Sequence, residues 1–380
     1  MPNTCPPRPQ PRGLISLNGG ITLTESIINL TRGVPPLDAF PTADLIDCGN
    51  TILQQDPNVL LQYGRSPGYA PLREWLGGRY GVGPEQVLIG NSSLEVFAFI
   101  TRNLSPPGAR VFVESPTYDR AITLLRRAGV ELVGIPLQGD GLDLAVLEEE
   151  LAKGAPALMY LIVDFQNPAG DTTSLEKRQR LAALAEEHGF WIVEDAPYRK
   201  LRYWGQDTPS LRSLAPGRVL HMSSFSKVLA PGLRLGYLVG PADVISTLAQ
   251  WAVDSYIGPV GPTQGMVYEY CRRGLFEPNL ERLKDLYRPR LQALLSALER
   301  HIPQATWTRP EGGFFVSVTL PEGSDIASLR ERAAEVGLKL TDGRAFFSTP
   351  ADGSRFLRLP FCSLTPPEIE DGISRLARLL

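Results

Sequence analysis

The run SSFSKVLAPGLRLGY (223–237) gathers two serines, Ser224 and Ser226, one lysine, Lys227, a Pro-Gly turn and an arginine, Arg234. A lysine amine condenses with aldehydes, and it does so best when desolvation or a neighbouring cation depresses its pKa. Serine hydroxyls and a guanidinium are good phosphate ligands. An aldehyde that carries a phosphate is a description of pyridoxal 5'-phosphate (PLP). The ordinary alternative is a surface lysine in a polar loop. Two serines, a rigid turn and an arginine seven residues on argue against it.

Five other segments supply companions. In VEDAPYRKL (193–201), Asp195 closes an apolar strand. A carboxylate there needs a cationic partner, and a protonated pyridine nitrogen is one. Tyr198, three residues on, can reach the ring's phenolic oxygen. In DFQNPAG (164–170), Asn167 is a neutral amide that can donate to the same oxygen. In IGNSSLEVF (89–97), Ser92 and Ser93 stand at a strand-to-helix junction, where free backbone N–H groups bind phosphate. In ESPTYDR (114–120), Tyr118 follows a strand and can stack on a flat ring. In FLRLPF (356–361), Arg358 lies inside an apolar strand, and a bidentate clamp on a substrate carboxylate would satisfy it. Each has a plain alternative: helix capping for Asp195 and the two serines, an Asn-Pro turn, a core aromatic, a structural salt bridge.

The elements that must position these groups follow from periodicity. Seven short apolar runs, VLIG, RVFVE, ELVGIP, ALMYLIV, FWIVE, RVLHMS and LGYLVG, read as strands. Helical patterns alternate with the first of them, at 93–104, 118–129, 143–152 and 174–188, the last opening with Thr173 and Glu176 at capping-box spacing. Earlier helices are expected at 42–55 and 70–80. That rhythm indicates an α/β fold with a mostly parallel, helix-flanked sheet, whose ligands bind at the strands' carboxyl ends. Near residue 280 the rhythm changes. A long helix at 279–301, strands FFVSVTL, LKL and FLRLPF, a helix at 325–336 and a last one capped by Thr365 and Glu368 suit a smaller α+β domain.

The bulk numbers exclude more than they identify. With 380 residues, 43% hydrophobic and 21% charged, the chain can bury a large core. A net charge of -3 argues against nucleic acid as a partner. The four cysteines and three histidines are scattered, so no CxxC pair and no metal site is expected. The proline-rich N-terminus has no apolar core of a leader, and no apolar run reaches membrane-spanning length. The expectation is a cytoplasmic enzyme. A GxGxxG after a strand and a GxxxxGK[ST] loop are both missing, which disfavours a dehydrogenase or a kinase.

Taken in order, these segments resemble the class I aminotransferases of PLP fold type I, in the branch of 2-aminoadipate and kynurenine aminotransferases and the catalytic domain of MocR-type regulators. SxSKxxxPGxRxG, QNPAG, EDAPY and GRAFF (343–347) carry the resemblance, which runs from about Ile28 to the C-terminus. It implies that Lys227 holds PLP as a Schiff base and acts as the acid–base. It places Asp195 on the pyridine nitrogen, and Asn167 and Tyr198 on the phenolic oxygen. Tyr118 would stack on the ring, and Ser92, Ser93, Ser224, Ser226 and Arg234 would hold the phosphate. Tyr63, in LQYGRSPGY, would reach the phosphate of a neighbouring subunit. Arg358 would bind the substrate carboxylate, with Gly33 and Asn167 on that side. It further implies a homodimer with shared sites, an N-terminal arm and packing segment at 1–41, a large PLP domain at 42–280 and a small domain at 281–380. The activity implied is transfer of an amino group between an L-α-amino acid and a 2-oxo acid. The alternative is a specialised biosynthetic PLP enzyme catalysing elimination, substitution, cyclisation or decarboxylation. A regulator is disfavoured because fewer than about 40 residues precede the matching region, too few for a winged-helix domain. The sequence departs from relatives at SSFSK, at Asp342, at NSSLEVF and in an N-terminal region that lacks the longer helix and the basic residue they use for side-chain recognition; these changes spare the cofactor set and touch the substrate side.

Overall fold

The computed structural model describes residues 27–380; the first part of the arm and packing segment expected at 1–41, and Cys5, lie outside them. The strands are β1 (Ile28–Leu30), β2 (Val87–Gly90), β3 (Arg110–Ser115), β4 (Glu131–Gln138), β5 (Gly141–Leu142), β6 (Leu158–Leu161) and β7 (Trp191–Asp195). Then come β8 (Val219–Ser224), β9 (Gly236–Val239), β10 (Thr306–Trp307), β11 (Phe315–Thr319), β12 (Leu338–Leu340) and β13 (Phe356–Pro360). The large sheet has the order β2-β9-β8-β7-β6-β3-β4-β5. The pairs β4·β3, β3·β6, β6·β7 and β7·β8 are parallel, whereas β9 runs antiparallel to both its neighbours. All seven expected strands are present. The eighth, β5, is a two-residue return antiparallel to β4, too short to leave a periodic signal.

The central strands are buried on both faces, so their residues are apolar without alternation. Val111, Val113, Tyr160 and Val193 pack into one hydrophobic cluster and Phe112, Met159, Leu161 and Ile192 into another, on opposite sides of the sheet. The helix Ser93–Leu104 covers the first side with Val96, Phe97, Phe99 and Ile100, at helical spacing. The helix Leu175–His188 covers the second with Leu181, Ala182, Leu184 and Ala185.

The 26-residue helix Phe276–His301 leads from the large sheet to a three-stranded antiparallel sheet, β10-β11-β13. Near this smaller sheet β1 pairs in parallel with β12, 310 residues away in sequence at Ile28↔Leu338. That pairing ties the segment just before Thr31 to the C-terminal half of the chain.

Two expectations are corrected here. Helix 175–188 is capped by Ser174, whose side chain accepts from the Lys177 N–H, and not by a Thr173–Glu176 box. Thr173 cannot cap because its own N–H donates to Val163 O, which holds it extended beside the sheet. The strand read over 157–163 stops at Leu161, because the N–H of Ile162 is taken at 3.0 Å by the Glu114 carboxylate and not by a neighbouring strand. The capping box at Thr365–Glu368 is present, with Thr365 N–H donating to Glu368 Oε2 at 2.7 Å. Helices Ala242–Tyr256 and Gly261–Arg272 add to those expected.

Candidate active site

Because β2, β3, β6, β7 and β8 all run the same way, their carboxyl ends share one edge of the sheet. Ser92 follows β2, Tyr118 follows β3, Asn167 follows β6, Asp195 ends β7, and Ser224 ends β8 with Lys227 just beyond. β9 runs the other way, so its amino end lies on the same edge and brings Arg234 there. A cavity of roughly 570 Å³ opens along this edge. Ser92, Ser93, Tyr118, Asn167, Asp195, Tyr198, Ser224, Ser226, Lys227 and Arg234 all line it, and the smaller sheet and the β1 segment add Arg358 and Gly33.

The side of the cavity expected to take a phosphate is built from backbone as much as from side chains. Ser92 caps helix 93–104 by accepting from the Glu95 N–H at 3.0 Å, so the capping alternative and the cradle coexist. A Cβ on Gly236 would lie 2.2 Å from Ser93 N and 2.5 Å from Ser92 C, so only glycine lets β9 approach this turn so closely. Ser224 donates to Leu235 O at 3.1 Å and accepts from the Ser226 N–H at 3.0 Å, which locks the turn that carries Lys227. Arg234 adopts a left-handed backbone, φ +48°, turning the chain back into β9.

Lys227 Nζ donates to Gly33 O at 3.1 Å. Burial lowers the pKa of its amine, and the guanidinium groups of Arg358 and Arg234 push the same way. Asp195 is 5% exposed. Its Oδ2 accepts from the Tyr160 hydroxyl at 2.6 Å, while its Oδ1 has no partner. Burial pushes its carboxyl up to about 6, against the hydrogen bond from Tyr160 and the nearby His221 and Lys227. Tyr198 packs on Phe314 and Phe315, and burial raises its phenol well above the ordinary range. Burial likewise lifts the Tyr118 phenol to about 12, so both tyrosines stay neutral donors at any physiological pH.

Arg358 is 7% exposed and lies between the rings of Phe315 and Phe346, 4.7 and 4.6 Å from its guanidinium carbon. Nη1 donates to Asn167 Oδ1 at 2.9 Å and Nη2 to Thr31 O at 2.7 Å, while Nε has no partner. Among the described residues no carboxylate pairs with it, which argues there against the salt-bridge alternative. Gly33 touches the same wall: a Cβ there would lie 2.3 Å from the Phe315 ring.

Tyr63 stands apart. It is 79% exposed and does not line the cavity of its own chain. The sequence reading missed Tyr160, Thr31, Arg32, Arg120, Arg330 and Thr341, which also line the cavity. Tyr160 had a signal: a hydroxyl-bearing residue in the middle of an aliphatic buried strand must find a partner. The arginines at the mouth gave none, because they converge only in the fold. Asp342 lines the mouth too, held by Arg344 at 2.7 Å and Arg330 at 3.3 Å.

The residues present fit PLP. A buried carboxylate oxygen of a cavity-lining residue has no donor, a half-buried amine lines the same cavity, and a glycine-bounded helix start lies on the same edge. Among the described residues no cluster of three or more His, Cys, Asp or Glu could hold a metal, and no helix is long and apolar enough to cross a membrane. Cys48, Cys271 and Cys362 are free and buried.

The fold and the cavity are those of a PLP fold type I enzyme. The chain belongs to the family described as aminotransferase class I and II, whose family model matches residues 25–376. It is similar to the 2-aminoadipate transaminase of Thermus thermophilus, with 36% identity over 95% of this chain and 91% of that protein. It is also similar to the crystal structure of the α-aminoadipate aminotransferase of that organism complexed with N-(5'-phosphopyridoxyl)-L-leucine, with 35% identity, 94% and 92% coverage and a TM-score of 0.89. A third likeness is the kynurenine aminotransferase of Pyrococcus horikoshii in complex with PMP, with 35% identity, 94% and 91% coverage and a TM-score of 0.90. The chain is a PLP-dependent aminotransferase.

Proposed function

We propose that Lys227 holds PLP covalently and that the reaction moves an amino group between an L-α-amino acid and a 2-oxo acid at this cavity. The observation that carries the residue assignment is the convergence, in one cavity, of a desolvated amine, a carboxylate oxygen without a donor and a buried guanidinium without a carboxylate. When bound, the cofactor supplies an electrophilic aldehyde and an electron-withdrawing ring. Asp195 Oδ1 would accept from the ring nitrogen. Asn167 and Tyr198 would donate to the phenolic oxygen, and Tyr118 would lie on the ring face. Ser92, Ser93, Ser224, Ser226 and Arg234 would hold the phosphate, joined by Tyr63 of a second copy in a homodimer. Arg358 would grip the substrate α-carboxylate, with Asn167 and Gly33 fixing its position. Lys227 Nζ, whose pKa burial lowers, is the group placed to move the proton from the substrate Cα. The Phe314 ring lies 6.0 Å from Lys227 Nζ, and Phe315 and Phe346 flank the Arg358 guanidinium.

Transamination is favoured over the other PLP outcomes by the family match across the chain. At the mouth Arg120 pairs with Asp119 at 3.6 Å and Arg330 with Asp342 at 3.3 Å, which leaves Arg32 as the cation that could meet an acidic substrate side chain. The division into a large domain at 42–280 and a small domain at 281–380, with 1–41 leading in, is supported by the two separate sheets. A cytoplasmic location is part of the same reading.

The test has two arms. Borohydride reduction of the PLP-loaded protein followed by peptide mapping should label Lys227; labelling elsewhere, or none, sinks the assignment. The loaded protein given an amino acid alone should lose its yellow absorption and regain it with a 2-oxo acid. A panel containing 2-aminoadipate, glutamate, kynurenine and neutral amino acids then ranks the side chains. A product that keeps its nitrogen and needs no oxo acid would overturn transamination.

A further inference from the structure

The bond between Tyr160 and Asp195 is not explained by packing alone. Tyr160 is in the middle of β6, paired across the parallel ladder with Val113 on β3 and Val193 on β7. Paired residues share a face of the sheet, and alternate residues along a strand do too. Tyr160, Val193 and Asp195 therefore face the same side, and a tyrosine at this register reaches diagonally to the strand end. Its ring rests on Phe97, with centroids 4.7 Å apart. That contact fixes the direction of the hydroxyl before any ligand arrives. The hydroxyl then donates to Oδ2 at 2.6 Å, and a carboxylate held by one oxygen can turn the other in one direction only.

We propose that Tyr160 is a positioning residue for the cofactor: by donating to Asp195 Oδ2 it fixes the carboxylate and presents Oδ1 alone to the ring nitrogen. This rests on the reading of Lys227 and Asp195 as the PLP site. Two observations support it independently of each other. One is that Oδ1 is buried and has no donor while Oδ2 has Tyr160. The other is that both Tyr160 and Asp195, although buried, line the cavity.

The bond also bears on charge. Only an anionic Asp195 keeps a pyridine nitrogen protonated. Burial opposes that anion, and the hydrogen bond from Tyr160 is the foremost influence restoring it. Other titratable groups face Asp195 from the elements around it. His221 on β8 and Lys227 beyond it favour the anion. Glu114 on β3, Tyr118 after β3 and Tyr198 on the same loop bear like charge when ionised. All of these stay in place when the Tyr160 oxygen is removed.

Tyr160→Phe deletes that oxygen and keeps the ring on Phe97. The experiment measures equilibrium uptake of PLP, and of its carbocyclic analogue with carbon in place of the ring nitrogen, between pH 5 and 9. Wild type, Tyr160→Phe, Asp195→Asn and the double variant are compared, each checked for folding by circular dichroism. Tyr160→Phe should weaken PLP uptake by about 10- to 100-fold at pH 7.5, the range for hydrogen bonds to charged groups. It should also move the acid limb of the uptake profile to higher pH. It should leave uptake of the analogue unchanged, and add nothing in the Asp195→Asn background. Equal loss for both ligands, an unmoved acid limb, or full additivity with Asp195→Asn would reduce Tyr160 to a packing residue and overturn the proposal. Borohydride labelling of Lys227 in wild type decides the underlying reading separately, so either can fail without the other.

Discussion

Arg358 Nη1 donates to Asn167 Oδ1 at 2.9 Å, joining residues 191 positions apart in the chain. The bond joins β13 of the smaller sheet to the turn after β6 of the large one. With Nη2 on Thr31 O at 2.7 Å, the guanidinium is held from two sides while Nε stays free. The pocket proposed for the substrate carboxylate is thus assembled from three distant stretches of sequence. Its orientation does not depend on substrate being present, which is the preorganisation a carboxylate clamp needs.

Arg358→Lys should therefore lose the fork while keeping the charge. Lysine is a point donor on a flexible stem and cannot meet Asn167, Thr31 and a carboxylate together. The expected outcome is a fall in kcat/KM of roughly 10- to 150-fold for both amino acid and oxo acid, corresponding to one charge-assisted hydrogen bond. Uptake of PLP should not change. Steady-state kinetics on both half-reactions check this, and a loss confined to one of them would show that Arg358 grips something other than the shared α-carboxylate.

Lys227→Ala should abolish turnover by at least about 10³-fold, as loss of a group that acts at the reacting atoms does. Thermal stability of the cofactor-free protein should hold or rise. The wild-type amine is desolvated, with one hydrogen bond to Gly33 O, and burying a poorly paired amine is costly. Differential scanning calorimetry of the two cofactor-free proteins measures the sign; a large drop would mean Lys227 also braces the fold.

Gly236→Ala tests the phosphate side. Its new Cβ meets backbone atoms of Ser92 and Ser93, which cannot swing away as a side chain would. Overpacking of this kind costs typically about 1–3 kcal/mol, and here the strain falls on the turn that would hold the phosphate. The expected result is weakened PLP uptake larger than the change in folding stability. Inorganic phosphate as a competitor reads the same cradle without the aldehyde.

The residues that end strands were legible because strand-end chemistry is local: Asp195, Asn167, Ser224 and Lys227 each follow a buried apolar run. Arg358 was legible for a different reason, as a charge inside an apolar strand that must have a partner. What sequence could not convey is convergence across the fold. The Tyr160 hydroxyl signals a need for some partner, but that the partner is Asp195, 35 residues on in the adjacent strand, is visible only in the fold. The pairing of β1 with β12, which brings Thr31 and Gly33 to the cavity, depends on a three-residue strand with no periodicity to read. Gln166 was passed over for Asn167, although it is Gln166 that ties the turn to Glu114.

That last pair leads to a prediction about pH. Glu114 is 1% exposed, and its Oε2 accepts from Ile162 N–H and from Gln166 Nε2, each at 3.0 Å. Burial pushes its carboxyl from the ordinary 4.5 up to about 8, outweighing both hydrogen bonds. The folded state then binds this proton more tightly than the unfolded chain does. The stability it contributes is complete below about pH 4.5 and is lost as pH rises through about 8. Glu114→Gln keeps an acceptor for Ile162 and cannot ionise. The wild type should lose stability between pH 6 and pH 9 on the order of a few kcal/mol more than the variant does. Denaturant midpoints of both cofactor-free proteins across that range supply the comparison. Parallel curves would mean that Glu114 is already ionised at neutral pH, with its charge carried by the two donors that hold the Asn167 turn.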